Sequence, residues 1–243
     1  MRLRPTDPIA AQVETAIRRG DVEALRCLLD QRPGLAAARI GEPGRGAKTP
    51  LAIAADWPGF FPNGAKVVAA LIAAGGDPND RGEGKDGEPG DEAPLHWAAS
   101  SDDAEVAEAL IEGGADINMA GGSIGTPLEN AIGYGCWQVA DLLVARGAAI
   151  DQLWVAAALG KMARIEAFFA ADPEPTGEEI NHAFWQACHG GQPRAAAYLR
   201  QRGAALNWTP DYADDLPLKV AKGGGTRWGI TESWLREQGA TES

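Results

Sequence analysis

The stretch that decides the fold is APLHWAA, at residues 93–99, which is followed by GADIN at residues 114–118. The same plan returns 33 residues later, with TPL at residues 126–128 and GAAID at residues 147–151. A fixed period with the same residue types at the same offsets is the signature of a stacked array. The sequence therefore predicts a solenoid that grows by repetition around a shared core.

Residue chemistry predicts two short helices in each repeat. Proline opens the first helix, because at the first turn it lacks only an N–H that would have no partner there. Thr49 and Thr126 precede such prolines and can accept a hydrogen bond from a free donor at the helix start. Gly114 and Gly147 follow second helices, where a left-handed residue is favoured.

The pattern extends along the whole chain, with unequal quality. The approximate repeats are residues 9–41, 48–92, 93–125, 126–151, 152–175, 176–215 and 216–243. We interpret them as a single domain spanning residues 1–243, because a repeat array grows without a second core. The last repeat is polar on its final face, as a terminal cap should be.

Two insertions interrupt the repeat pattern, and two hairpins of the pattern are absent. The second repeat carries 11 extra residues, divided between an enlarged turn at residues 57–64 and a glycine-rich connection at residues 81–90. We expect this connection to be a solvated tip. The usual hairpin is missing before Leu153. Thr176 and Glu179 predict a capping box that starts the next first helix early, in place of a hairpin.

Several of these stretches resemble the ankyrin repeat. They are TPL at residues 49–51, APLHWAA at 93–99, GADIN at 114–118 and TPL at 126–128. Further stretches are similar to a bacterial subgroup of ankyrin-repeat proteins, namely ADWPG at 55–59, LHWAASSD at 95–102, AFW at 183–185 and CHGG at 188–191. The resemblance implies an all-α solenoid of about seven helix pairs with short β-hairpin fingers, some missing or lengthened. It also implies that the concave side, formed by first helices and hairpin tips, binds a protein or peptide.

Composition narrows the choice of partner. A formal net charge of -12 and a pI near 4.7 repel phosphate backbones and anionic membranes, so we expect neither nucleic acid nor membrane and favour a basic partner. The longest apolar run, residues 67–74, is too short to span a bilayer. The three cysteines form no CxxC pair, which favours small buried thiols in a reducing compartment. We expect a monomeric, soluble, cytoplasmic protein without a cofactor.

The repeat register predicts which side chains face the concave side, and an unusual number of aromatic residues lie near them. Exposed aromatic clusters are costly unless something covers them. The candidate binding residues are Trp57, Phe60, Phe61, Asn63, Trp97, Ser100, Asn130, Tyr134, Trp137, Trp185, Gln186 and His189. We expect the enlarged turn to fold over this side and to enclose a pocket with Trp97. The alternative is that these aromatics only fill gaps left by irregular repeats.

A small-molecule binder or an enzyme using the same face is the alternative function. A histidine held by a carboxylate can act as a general base, and the candidate polar groups are His96, Asp102, Glu129 and His189. The competing interpretation of His96 is the ordinary ankyrin residue, bonded to a neighbouring backbone. Histidine and cysteine never occur at metal-ligand spacing, so no metal is expected.

One glycine-rich stretch approaches a nucleotide-binding motif without matching it. GEPGRGAKT, at residues 41–49, has Ala47 between its last glycine and Lys48. A phosphate-binding loop needs the lysine directly after glycine and a strand before the loop. We therefore interpret this stretch as a hairpin tip that leads into the second repeat.

Overall fold

A computed structural model of the protein describes residues 1–242 and contains 14 α-helices within that range. They form the seven predicted helix pairs. The chain divides into two compact units, Met1–Ala148 and Ala149–Ser243.

The first unit contains four helix pairs. They are α1 (Pro8–Arg19) with α2 (Val22–Gln31), α3 (Pro50–Ala55) with α4 (Gly64–Ala73), α5 (Pro94–Ser101) with α6 (Ala104–Glu112), and α7 (Pro127–Gly133) with α8 (Trp137–Ala145). Each first helix packs against the next first helix, and each second helix against the next second helix. The result is a two-layered stack of the kind that the period predicted.

The second unit contains the remaining three pairs. They are α9 (Leu153–Ala158) with α10 (Met162–Phe169), α11 (Gly177–His189) with α12 (Pro193–Gln201), and α13 (Pro217–Val220) with α14 (Thr226–Glu237). The predicted capping box is present at α11. The Thr176 hydroxyl oxygen accepts from the Glu179 N–H at 3.3 Å, and the Glu179 carboxylate accepts from the Thr176 N–H at 2.8 Å. The helix is 13 residues long as a result.

The finger before α3 is the hairpin predicted at residues 41–49. Ile40 and Lys48 form its antiparallel bridge, and β1 (Arg2–Leu3) adds in parallel to β2 (Arg39–Ile40). The connection at residues 81–90 is exposed at residues 85–89, as expected for a solvated tip, but its first part is anchored to the rest of the unit. Glu83 bridges Ala47 across the first finger, and its carboxylate pairs with the Arg2 guanidinium. Among the described residues, the later connections contain turns and bends but no strands.

Small side chains let the first helices approach closely. Ala54, Ala55, Ala98 and Ala99 are all at most 1% exposed, and short side chains at a contact reduce the distance between helix axes. Another close approach involves Gly190, directly after α11. A Cβ atom there would lie 2.0 Å from a backbone oxygen at the end of α9.

Candidate functional site

A cavity of about 780 Å³ lies in the first unit, where the fingers meet the first helices. Its volume falls within the range of small-molecule and peptide side-chain pockets. Trp97 projects into it from α5, and charged side chains surround that ring. The charged residues that line the cavity are Arg45, Lys48, Arg81, Glu83, Asp91 and Glu92.

Trp97 is partly buried beneath a lysine of the first finger. The Lys48 ammonium lies 4.3 Å from the centroid of the Trp97 ring and 2.6 Å from an Asp56 carboxylate oxygen. Such a cation over an indole face contributes about 0.5 to 1 kcal/mol at an exposed site. A partner that stacks on this face of the ring must therefore displace the lysine.

The cavity lining includes one positive and one negative side chain that are not paired within the protein. Glu83 is paired with Arg2, and the Glu92 carboxylate accepts from the Ser123 N–H at 3.0 Å. Arg45 and Asp91 are exposed and have no ion-pair partner among residues 1–242. A partner that enters the cavity can thus satisfy one cation and one anion.

Asn130 was expected to face the concave side, and this expectation is wrong because its side chain is fully buried. Its amide donates to Glu92 at 2.8 Å, and its amide oxygen accepts from the Ile124 N–H at 3.0 Å. Asn130 therefore fixes the connection before α7 and does not reach the surface. The hydroxyl of Ser100, one repeat earlier, donates to the His96 carbonyl at 3.0 Å.

His96 binds backbone and not a carboxylate. Its Nε2–H donates to the carbonyls of Met119, at 3.0 Å, and Gly125, at 3.2 Å. Its Nδ1 accepts from the Ala93 N–H at 3.3 Å. Burial lowers the pKa of His96 below its usual value, which keeps the ring neutral. These contacts match the backbone-bonded interpretation.

The carboxylates considered as partners of His96 in the alternative interpretation have other contacts, so neither forms a pair with it. Asp102 accepts from the Val139 N–H at 3.0 Å, and Glu129 accepts from the Thr126 N–H at 2.7 Å. The fourth candidate, His189, lies in the second unit and stacks on Trp185 with ring centroids 5.6 Å apart. His96, Asp102 and Glu129 therefore hold separate backbone segments and form no catalytic group.

The enlarged turn after α3 lies across the connections between helix pairs. Asp103 accepts from the Phe60 N–H at 2.6 Å, and the Asn63 amide donates to the Gly20 carbonyl at 3.0 Å. The Arg18 guanidinium lies 5.2 Å from the centroid of the Phe61 ring. The expected enclosure of the Trp97 pocket is wrong, because none of residues 57–63 lines the cavity.

Three aromatic candidates of the first unit remain on its surface. The side chains of Trp57 and Phe60 are 73% and 64% exposed, and Tyr134 is 55% exposed. The Tyr134 hydroxyl lies 3.2 Å from the hydroxyl of Ser123, which lines the cavity. Trp137 begins α8 and is partly buried. Of these four residues, Tyr134 is the one tied directly to the rim of the cavity.

In the second unit, Gln186 is 4% exposed, so the expectation that it faces the concave side is wrong, and Trp185, which was expected beside that side, is 6% exposed. The Trp185 indole N–H donates to the Asp215 carbonyl at 2.8 Å, and the Gln186 amide donates to the Tyr212 hydroxyl at 3.2 Å. The connection between α12 and α13 supplies both acceptors and covers the two side chains. His189 stays partly exposed.

A second cavity, of about 670 Å³, lies between the start of α11 and the connection at residues 208–212. His182 and Tyr212 line it side by side, with Nε2 2.6 Å from the hydroxyl oxygen. No sequence pattern singled out His182, and this cavity was not predicted. One signal was available: His182 and Glu178 are four residues apart on one helix, and so share a face.

The stacked helix pairs and the finger define the ankyrin-repeat fold, a class of domain that generally mediates protein–protein interactions. Residues 60–152 match a family model described as ankyrin repeats, in three copies. The crystal structure of the human ASB11 ankyrin repeat domain is similar, with a TM-score of 0.52 and 17% sequence identity over 95% of this chain and 99% of that chain. At that identity the likeness shows the fold alone. No curated protein matches the sequence. Among the described residues, no helix combines the length and the apolar character needed to cross a membrane.

Proposed function

We propose that this chain binds a protein or peptide through the finger face of its first unit. We define the finger face as the first helices α3, α5 and α7 together with the connections at residues 40–48, 81–92 and 119–125. The observation that carries the proposal is the cavity of about 780 Å³ on this face, because it combines an indole ring with unpaired charges. Interface energy concentrates in such partly desolvated aromatic and charged positions.

Tyr134 and Trp97 are the proposed anchors. Tyr134 is exposed, with its hydroxyl beside Ser123, and Trp97 lies under a lysine that a partner can displace. Tyrosine and tryptophan offer large contact areas for little loss of side-chain freedom. Trp57 and Phe60 lie apart from the cavity lining, and we assign them at most a supporting contact.

The proposed partner segment is basic. The formal net charge of -12 attracts cations at long range, and Asp91 offers an unpaired carboxylate at the cavity itself. Arg45 lines the same cavity, so the segment should also present one acceptor, such as a backbone carbonyl or a carboxylate. The proposal includes a monomer in the cytoplasm. Buried, free thiols at Cys136 and Cys188 support a reducing compartment.

Quantitative affinity capture tests this function. The resemblance to bacterial ankyrin-repeat proteins makes a bacterial lysate the first choice, with wild type, Trp97→Ala and Tyr134→Ala compared side by side. Ile230→Ala is the matched control, because Ile230 is 53% exposed, close to the 55% of Tyr134, and lies in the second unit. We expect the two finger-face variants to lose a shared set of captured proteins that Ile230→Ala retains. Identical capture by all four proteins would show that another surface binds.

A small molecule bound in the same cavity is the second candidate, and the cavity volume favours it. A thermal-shift screen of small organic compounds distinguishes the two proposed functions. A compound that raises the melting temperature of wild type but not of Trp97→Ala supports the small-molecule function. Loss of captured proteins in Trp97→Ala, with no compound effect, supports the protein partner.

A further inference from the structure

We propose that the second unit holds a separate site for the arginine side chain of a peptide, in the cavity between α11 and the connection at residues 208–212. This cavity has a volume of about 670 Å³, which is ample for a guanidinium group and its alkyl stem. The inference does not depend on the function proposed for the first unit, since every residue that carries it lies in the second.

Aromatic rings form one wall of this cavity. Tyr212 and Trp208 line it beside His182. The His182 ring lies between Tyr212, at a centroid distance of 5.7 Å, and Trp154, at 5.6 Å. Tyr212 is 61% exposed, so its ring is open to a ligand. Aromatic faces attract cations, and planar guanidinium groups in particular stack on them.

A chain of hydrogen bonds keeps this wall neutral. The Gln186 amide donates to the Tyr212 oxygen at 3.2 Å, which leaves the Tyr212 O–H to donate to His182 Nε2 at 2.6 Å. In this arrangement His182 is an unprotonated acceptor at Nε2. Burial lowers the pKa of His182 below its usual value, in agreement with this geometry. The wall therefore presents rings without a positive charge of its own.

Negative charge surrounds the same cavity. Glu178, Glu179 and Asp211 line it, whereas no lysine or arginine does. Glu179 is committed to the helix cap, where its carboxylate accepts from Thr176. Glu178 and Asp211 are exposed and have no ion-pair partner within residues 1–242. Two carboxylates are thus available to a cation that enters.

The combination selects arginine among cations. A guanidinium group can donate to two carboxylates in a fork while its plane stacks on a ring, whereas an ammonium group is a compact point charge. A metal ion fits poorly, because the described residues contain no group of three or more His, Cys, Asp or Glu side chains placed to hold one. The geometry therefore points to an organic, planar cation.

Isothermal titration calorimetry of the full chain tests the proposal with a capped Gly-Arg-Gly peptide. The comparison peptide carries citrulline, which has nearly the shape of arginine but no charge, and a third peptide carries lysine. We expect the arginine peptide to bind at least ten-fold more tightly than the citrulline peptide, with lysine between them. Equal affinity for arginine and citrulline, or no binding of the arginine peptide, would overturn the proposal.

Charge-removing variants locate the site. Glu178→Gln and Asp211→Asn should each lower the affinity for the arginine peptide about five-fold. This is the upper end of the contribution that a partly exposed ion pair makes. Glu174→Gln removes the same charge from an exposed residue outside the cavity lining and should bind like wild type. Circular dichroism of each variant checks that the fold is retained. If Glu178→Gln and Asp211→Asn bind like the Glu174→Gln control, the cavity is not the site.

Discussion

His96→Ala should cost about 3 to 4 kcal/mol of unfolding free energy. His96 is fully buried and makes three hydrogen bonds, to Ala93, Met119 and Gly125. Each such bond contributes about 1 kcal/mol net, and the space left by the ring adds about 1 kcal/mol more. Urea unfolding followed by tryptophan fluorescence measures the loss. His96→Gln should recover part of it, because an amide N–H can still donate to a carbonyl.

His96 should also make the stability of the protein depend on pH, in a direction that its lowered pKa fixes. The pKa of His96 is lowered in the folded protein from a usual value of 6.5, so the unfolded chain takes up a proton first as the pH falls. Stability therefore decreases below about pH 6.5 and levels off below the folded pKa. His96→Gln should remove that part of the decrease. His182, which has a lowered pKa as well, is present in both proteins, so the difference between their profiles isolates His96.

Two results would refute this reasoning. The first is a loss below about 1 kcal/mol for His96→Ala, which is less than the cost of leaving one buried polar group unpaired. The second is an unchanged stability profile between pH 5 and pH 7 for His96→Gln, within the pH window where the unfolded histidine titrates. Either would mean that His96 is not held in the neutral, backbone-bonded state from which both predictions start.

Three further substitutions test other contacts, each through the free energy of unfolding measured in urea. Asp103→Ala should lower it by about 2 to 4 kcal/mol, because Asp103 caps α6 and also accepts from the Phe60 N–H. A loss no larger than that of an ordinary helix cap would contradict the contact with Phe60. Gly190→Ala should cost about 3 kcal/mol or more, since its Cβ would lie 2.0 Å from the Ala158 oxygen; wild-type stability would show that the helices can separate freely. Thr176→Ala should cost about 1 kcal/mol through loss of the α11 cap, and an unchanged midpoint would count against the capping box.

Features of the fold that depend on residues close together in the sequence could be predicted from it. The proline openings and the spacing of apolar residues indicated the helix pairs, and the capping box at Thr176 placed the start of α11 correctly. The hairpin before α3 followed from its glycines and its failure to match a phosphate loop. Each of these signals acts over a few residues, where backbone geometry and local hydrogen bonds dominate.

Contacts between distant segments could not be predicted in the same way. β1 pairs with β2 across more than 30 residues, and no period of the sequence marks that pairing. The connection that covers Trp185 and Gln186 lies between α12 and α13, and its path depends on where the Trp185 and Gln186 side chains find acceptors. The enlarged turn was expected to cover Trp97, but Asp103 offers its backbone a buried acceptor elsewhere.

Several polar side chains of the first unit hold its elements in place, and two of them, Asp102 and Asn79, link one repeat to the next. His96 in α5 binds the connection before α7, and Asp102 after α5 binds the start of α8. Asn79 links its connection to the next one, through Gly114 and Asp116. The stacking register, which is the position of one repeat along the next, depends on these hydrogen bonds as well as on packing. Hydrogen bonds between repeats fix it strongly, because a shifted stack would leave buried polar groups unpaired. These bonds hold the fingers at set positions above the first helices, and a finger face held in this way can present Trp97 and its neighbouring charges to a partner without first paying an ordering cost.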